Sequence, residues 1–532
     1  MNVKYFRLIL ALAVTATLAM AKDKPKQALA VPDIPDQLIM QTYERAAVQN
    51  VLAAVNPKVF FGYWSVCADG RGFGYGYTYP SLDGHQMTDA LLWLGQVDVV
   101  KANWDYVRAF QRPDGSLPIA VLPNLAGRQA GEGKHLATVA ANGGLYEHWV
   151  PGNPLAALAD PTFIQNADDI FRATLDLKWL KSQLASINLS ADHLASMTDM
   201  RGAVRGGGYY VERPARLEYD GVAQCHAVDA FRRVAELNRV AGNPRAAGRY
   251  EALADRIRRR FTTRFWVTDH FAEYDNLQHG LISSHGLTDT DWAAIALDVA
   301  TPEQQAVLWP RLKNEHGFYY GGMPTGIASR PGKYEDWEFT HTDRHDLAAM
   351  GRVWLLDAQA RARMGDAQGL LRAIQKVCEV GRDNGFYWRE RYQPDGKGGV
   401  VAVGPNTYCE YPANMIRIIQ RFLLGVEFQT DGTLQLRPTV TERFWQKGFG
   451  QTLIWRDRTL TYEMHSGRIA GTYQGAEPQR LAVWFPGGDE STLFTATING
   501  KNLPAIYSHG WVIVNLPAAL PQTSAAFAIN RK

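Results

Sequence analysis

The sequence predicts a mainly α protein, a helical toroid followed by a small antiparallel β-sandwich. Three observations carry this prediction. Apolar residues recur at helical spacing from about Leu38 to Leu424; the helices come in pairs, with short links on one side and long aromatic-rich loops on the other; and after Gly425 the pattern changes to alternation.

In the helical part, Met87, Leu91 and Leu94 fall on one helix face. Ala246, Tyr250, Leu253 and Ile257 extend the same stripe over a longer run, and Leu370, Ile374 and Val377 repeat it. One pair runs from Gly221 to Val240 and from Arg245 to Phe261, joined by Ala241-Gly242-Asn243-Pro244. Between pairs lie Phe73 to Pro80, Gly143 to Pro154, Gly206 to Pro214 and Tyr319 to Trp337, and connections of this length are uncommon unless they carry function.

Beyond Gly425, Leu434 and Leu436 alternate with polar residues, as do Leu460, Tyr462 and Met464. Leu481 to Phe485 reads as an apolar strand, and Asn499-Gly500 is a hairpin turn signal. The expected boundaries are 38–425 for the toroid and 426–532 for the sandwich. No fixed-period repeat is visible, so solenoids and propellers drop out.

Lys4 and Arg7 precede an apolar stretch from Leu8 to Leu18 that ends in Ala19-Met20-Ala21, so residues 1–21 read as a signal peptide cleaved after Ala21. That stretch is short of the roughly 20 residues that span a bilayer. The expected mature chain is secreted or periplasmic, with no membrane partner. Residues 22–37, which open with a Lys- and Pro-rich run, read as a linker.

Among 532 residues, 46% are hydrophobic and 20% charged, enough for one large core and a smaller one. Lys and Arg number 56 against 53 Asp and Glu, a net charge of +3 without a dense basic run, which argues against a nucleic-acid partner. Cys67, Cys225, Cys378 and Cys409 lack CxxC spacing and form no zinc motif; they allow one bridge, whose members the sequence does not choose.

Four local motifs stand out. The first is Tyr79-Pro80-Ser81-Leu82-Asp83-Gly84-His85-Gln86-Met87-Thr88-Asp89, then Phe110 to Pro118. The second is Ser196-Met197-Thr198-Asp199-Met200-Arg201, followed by Glu212-Arg213-Pro214 and Leu217-Glu218-Tyr219-Asp220. The third is Trp388-Arg389-Glu390-Arg391-Tyr392-Gln393-Pro394-Asp395-Gly396. Tyr411-Pro412-Ala413-Asn414, running on to Gly425, is the fourth. Together they resemble the six-hairpin glycosidases with an (α/α)6 barrel, which include trehalases, debranching glucosidases and α-L-rhamnosidases; the third motif is the most specific match, and in the first His85 or Gln86 stands where that family usually has an aromatic.

The resemblance implies an inverting, exo-acting glycoside hydrolase that releases a non-reducing-end sugar from an oligosaccharide or polysaccharide, with no cofactor. Such hydrolysis needs an acid for the leaving oxygen and a base for the attacking water. By resemblance Asp199 is the acid and Glu390 the base, with Glu212, Asp220 and Glu410 as rivals. Asp83, His85, Asp89 and Tyr79 are candidates for binding sugar hydroxyls, though Asp83 and Asp89 would equally cap a helix. Trp149, Trp337 and Trp388 offer faces suited to pyranose rings.

His341 and His345, with Asp343 and Asp346, lack a supporting third ligand; no metal is expected, and His341 joins the sugar-binding candidates. A polysaccharide lyase, abstracting a proton beside a uronate with Tyr or His, and a noncatalytic glycan-binding protein remain the alternatives. No DDxxD motif supports a terpene cyclase.

Overall fold

Alternating helices differ in how they are buried, and this difference organises the helical part. The computed structural model describes residues 29–58, 60, 62–70, 81–118, 157–339, 342, 344–486, 492–519 and 523–532. Thirteen α-helices lie among them: α1 Gln37–Arg45, α2 Ser81–Trp93, α3 Val97–Arg108, α4 Ala159–Thr174, α5 Leu177–Ser196, α6 Gly221–Val240, α7 Pro244–Arg264, α8 Asp289–Ala296, α9 Pro302–Leu312, α10 Gly351–Arg363, α11 Ala367–Asp383, α12 Glu410–Ile418 and α13 Glu442–Lys447. The signal reading over Met1 to Ala21 lies outside the described residues.

Helix α6 is buried on nearly all sides, from Val222 and Cys225 to Val228, Phe231 and Val234. Its partner α7 buries only the stripe Ala247, Tyr250, Ala254, Ile257 and Phe261, which marks a helix with one face to solvent. Helices α2, α4, α6, α8, α10 and α12 pack each against the next, and α12 packs back against α2, so the order of contacts closes on itself. Helices α3, α5, α7, α9 and α11 each pack against the helix before them, and α1 with its π turn Ala46–Val51 packs against α12.

The connections sort by length. Residues 94–96, 175–176, 241–243, 297–301 and 364–366 leave the C-terminal ends of α2, α4, α6, α8 and α10. The long segments 52–80, 109–158, 197–220, 265–288, 313–350 and 384–409 all lead into the N-terminal ends of that same closed series. Caps define several starts: Asp176 accepts from Trp179 N at 2.9 Å, and Asp366 from Gly369 N at 3.0 Å.

From Val426–Phe428 onward the chain is mainly strand and builds two main sheets. The five-stranded sheet orders Ala505–Ser508, Trp511–Leu516, Gln479–Trp484, Leu434–Leu436 and Val426–Phe428. The expected antiparallel arrangement fails at one place here: Leu434–Leu436 runs parallel to Gln479–Trp484, because the chain visits the other sheet between them. In the seven-stranded sheet, Asn499 and Gly500, with φ of 47° and 76°, turn Phe494–Ile498 into Lys501–Leu503 as the hairpin signal predicts.

The linker reading also needs correction. Leu29–Asp33 is a strand, antiparallel to Phe449–Trp455, at the edge of the seven-stranded sheet. An edge position tolerates Pro32, which would disrupt a central strand. Trp93 of α2 stacks on Phe428 at 5.6 Å and Phe428 meets Trp455 at 5.7 Å, so helices and sheets share one continuous core. No helix among the described residues is long and apolar enough to cross a membrane.

Candidate active site

The long-loop ends of the closed helix series bring distant polar residues together. Glu410 is the first residue of α12, Arg352 the second of α10, Asp289 the first of α8, and Asp220 the N-cap of α6. Gly351 permits the close approach of α10 to α12, since a Cβ there would lie 2.9 Å from Glu410 Cγ. Among these helices is an open cavity, about 700 Å³ with the solvent space at its mouth included, lined by His85, Gln165, Tyr209, Tyr210, His226, Asp229, Asp289 and Arg352.

Glu390 immediately precedes the hairpin strand Arg391–Pro394 and is buried. Arg391 Nη1 lies 2.5 Å from its Oε2, and Arg352 Nη2 lies 3.6 Å from its Oε1. Gly404, with φ +90°, lies against it: a Cβ there would come within 2.8 Å of Glu390 Cβ. Arg352 also donates from Nε and Nη2 to Glu410, at 3.1 and 2.8 Å, and from Nη1 to Tyr210 O at 2.9 Å. Such charge-assisted bonds are what permit several ions to stay buried together.

Asp346 connects this group to the loop before α6. Its Oδ1 accepts from Arg391 Nε at 2.7 Å, while Oδ2 accepts the backbone N–H groups of Glu212 at 2.8 Å and Arg213 at 3.2 Å. Burial would raise its carboxyl, but Arg391 and His345 hold it well below the usual carboxylate range. His345 Nε2 lies 3.5 Å from Asp346 Oδ2 and 3.6 Å from Glu212 Oε2. Burial works against a charged imidazole here, yet Asp346 and Glu212 prevail and push His345 up to about 9.

A second buried cluster centres on Arg216. Its guanidinium lies 2.7 Å from Glu273, 2.9 Å from Asp289 and 3.4 Å from Asp220. Burial pushes Asp289 up to about 7 against the pull of Arg216. His285 Nδ1 is 2.5 Å from Glu273 and its ring stacks on Tyr334 at 3.6 Å. Residues 209–220 run between the two clusters, and Tyr210 and Arg216 hold φ of 66° and 47°. Non-glycine residues in this region cost of order 1–3 kcal/mol and concentrate at functional sites.

Of the sequence candidates, Glu390, Glu410 and Glu212 are brought into one network. Asp220 belongs to the Arg216 cluster and caps α6, accepting from Ala223 N at 2.7 Å and Tyr209 N at 3.2 Å; burial raises its carboxyl. Asp199 stands apart from both: it closes its own turn, accepting from Arg201 N and Ala203 N at 2.9 Å, and from Tyr219 Oη at 3.4 Å. A carboxylate committed to a turn in this way is poorly placed as the acid.

His85 does line the cavity, with Nδ1 2.6 Å from Asn166 Oδ1, and burial lowers it to about 3. Asp89 does not. One helical turn further along α2, it is buried against Arg421, 2.7 Å from Nη2, and lines a separate cavity beside Phe449–Trp455. Trp388 is 1% exposed, with Nε1 donating to Val377 O at 3.2 Å and its ring seated over Gly381, so it has no face for a sugar. Trp337 is exposed and stacks on His279. Tyr79, Trp149, His341 and the side chain of Asp83 lie outside the described residues.

Sequence reasoning passed over Arg352, Arg391 and Asp289 as members of the site, and left Asp346 open between a metal ligand, a sugar-site residue and a partner of Arg344, whereas its partner is Arg391. The cavity wall is similarly built from distant residues: Gln165 Nε2 donates to Asp229 at 2.8 Å and lies 3.1 Å from His226 Nδ1, whose ring stacks on Tyr209 at 3.7 Å. Glu212, His345 and Asp346 have ligand atoms within 4.8 Å of one another. Arg391 on Asp346 and Arg213 Nη1, 3.0 Å from His345 Nδ1, supply the positive charge that a cation would bring, so this donor set does not suit a metal.

The fold is that of known sugar-processing enzymes. A GH78 family rhamnosidase of Bacillus sp. GL1 superposes with a TM-score of 0.61 at 12% identity, over 87% of this chain and 43% of that one. The α-L-rhamnosidase from Dictyoglumus thermophilum gives 0.62 at 11% identity, over 95% and 50%. Streptomyces avermitilis α-L-rhamnosidase, solved with L-rhamnose, gives 0.52 at 12%, over 95% and 42%. The chain therefore spans half or less of the length of these structures, and at such identity the likeness is one of fold, a glycoside-hydrolase-like fold. No protein-family model matches the sequence, and no curated protein matches it.

Proposed function

We propose that this chain is a secreted, exo-acting glycoside hydrolase of the six-hairpin type, with the closed helix series as its (α/α)6 toroid. Glu390 is the general base and Glu212 the general acid. One observation carries the assignment: Asp346 binds the Glu212 backbone with one oxygen and, through Arg391, the Glu390 carboxylate with the other. Two acidic residues from chain segments far apart are thereby tied to one buried aspartate, next to the cavity-lining Val211 and Arg352.

In this reading a single non-reducing-end sugar enters the cavity among the helices. Glu212, whose side chain is 28% exposed beside the cavity-lining Val211, meets the leaving oxygen and gives it a proton. Glu390 takes a proton from the water that attacks the opposite face of the anomeric carbon. An inverting reaction needs about 6.5–9.5 Å between the carboxyl groups, room for that water. Arg352 and Arg391 hold Glu390 and Glu410 in place. The similar structures named as rhamnosidases make α-L-rhamnosides the first substrates to test.

The test is a screen of the purified chain on rhamnosides and on plant and bacterial glycans, recording reducing sugar and ultraviolet absorbance together. Reducing sugar without absorbance is the expected result. A rise in absorbance contradicts hydrolysis and points to β-elimination by a lyase, with the cavity residues Tyr209 and His226 as the groups to examine.

A further inference from the structure

Trp337 departs from the usual treatment of tryptophan in this fold. Trp64, Trp292, Trp354, Trp388 and Trp455 are all buried, whereas Trp337 is 44% exposed. Its indole lies on the exposed imidazole of His279, with centroids 3.8 Å apart and planes 16° from parallel. One indole face is thereby covered and the pair presents a flat aromatic platform in water. Leaving such an area exposed carries a hydrophobic cost that a ligand would relieve.

Both halves of the platform are held from below, and by the same chain segment. On the Trp337 side, Glu338 accepts from Tyr274 Oη, lies 3.2 Å from His285 Nε2, and its carbonyl accepts Ala215 N at 2.9 Å. On the His279 side, the N–H of His279 donates to Asn276 Oδ1 at 2.9 Å, Asn276 Nδ2 donates to Leu217 O at 2.7 Å, and Leu277 N donates to Glu218 at 2.8 Å. Ala215, Leu217 and Glu218 belong to the loop that carries Glu212. The platform is thus a fixed surface tied to the segment that bears the acid.

We infer that Trp337 and His279 form a subsite for a sugar ring on the leaving-group side, so that the substrate class is an oligosaccharide or polysaccharide and not a simple glycoside. This rests on Glu212 as the acid: the group protonated by Glu212 departs on the acid's side of the cavity, and a platform anchored to the same loop meets what lies beyond the cleaved bond. Pyranose rings present an apolar C–H face that stacks on indole, while their hydroxyls stay in water.

The experiment compares wild type, Trp337→Ala and Trp337→Phe on methyl α-L-rhamnoside, which has no outer ring, and on an α-L-rhamnosyl oligosaccharide with two or more hexoses on the leaving side. The expected result is a roughly tenfold fall in the ratio of kcat/KM for the oligosaccharide over the methyl glycoside in Trp337→Ala, with most of it restored in Trp337→Phe. An unchanged ratio overturns the inference. If wild type cleaves neither substrate, the active-site reading is what has failed, and the platform is judged by saturation-transfer NMR with the same oligosaccharide. Transfer seen in wild type and lost in Trp337→Ala supports the subsite; transfer that persists in the variant, or is absent from wild type, overturns it.

Discussion

Asp346 and Arg391 meet at 2.7 Å, Oδ1 to Nε, and through this pair a residue of the loop before α10 sets the position of the carboxylate next to Arg391. The other oxygen of Asp346 holds the backbone of Glu212. Asp346 is therefore a positioning residue for both proposed catalytic groups, although it touches neither carboxyl directly.

Asp346→Asn keeps the size of the side chain and removes its charge. The expected loss in kcat is roughly 10²-fold, the scale of about 1 Å of misplacement, and the variant should be less stable by about 3–5 kcal/mol, as when a buried ion pair is broken. Steady-state kinetics and urea denaturation check both. The pH dependence follows from the sign of the shift. Because the folded Asp346 carboxyl is held below its ordinary value, its contribution to stability is complete above about pH 4 and is lost as the pH falls towards the folded value. In Asp346→Asn that acid-side loss should shrink.

His345 has the opposite sign. Its folded value of about 9 lies above the ordinary one of about 6.5, so its contribution is complete below about pH 6.5 and drains away as the pH rises through 9. His345→Gln should flatten the decline in stability between about pH 6.5 and 9, measured by chemical denaturation at several pH values. An unaltered decline would show that another group is responsible.

Gly404 is fitted to Glu390 twice over, by its φ of +90° and by the absence of a Cβ that would lie 2.8 Å from Glu390 Cβ. Gly404→Ala should cost about 1–3 kcal/mol of stability from backbone strain and lower kcat at least tenfold, with KM less affected. Thermal denaturation and kinetics on one substrate suffice to check this.

Asp289 carries a pH-sensitive charge in the Arg216 cluster. Burial raises it to about 7, so the folded chain holds a proton that the unfolded chain has already released, and stability falls as the pH rises from about 4 through 7. Asp289→Asn should reduce this slope, leaving the part that Asp220, also raised by burial, contributes. Denaturation midpoints between pH 4 and 8 are the measurement.

Much of the fold is legible in the sequence because its cause is local. The spacing of Leu370, Ile374 and Val377 buries one face of α11, and Asn499-Gly500 adopts the positive φ angles its hairpin requires. The motif around Glu390 singles it out in the sequence, and the structure buries it between Arg391 and Arg352. What the sequence conceals is set by contacts between distant segments: Glu212 meets Asp346 across 134 residues, and Arg352 meets Tyr210 across 142. The strand Leu29–Asp33 reads as a linker because its partner, Phe449–Trp455, lies at the far end of the chain. Trp388 and Trp337 both read as aromatics in loops; only the packing of Gly381 under one and His279 under the other separates a buried prop from an exposed platform.

The most direct test of the account is the turnover of Glu390→Gln and Glu212→Gln beside wild type, on the best substrate from the glycan screen. Each substitution keeps the size of the side chain and removes its charge and its acid–base function. The account predicts that kcat falls roughly 10²- to 10⁴-fold in each variant while circular dichroism stays close to wild type; Glu390→Gln, which breaks the buried pair with Arg391, should also lose about 3–5 kcal/mol of stability, so turnover is compared where both variants are folded. Turnover within a few-fold of wild type in either folded variant would contradict it and take that residue out of the catalytic pair.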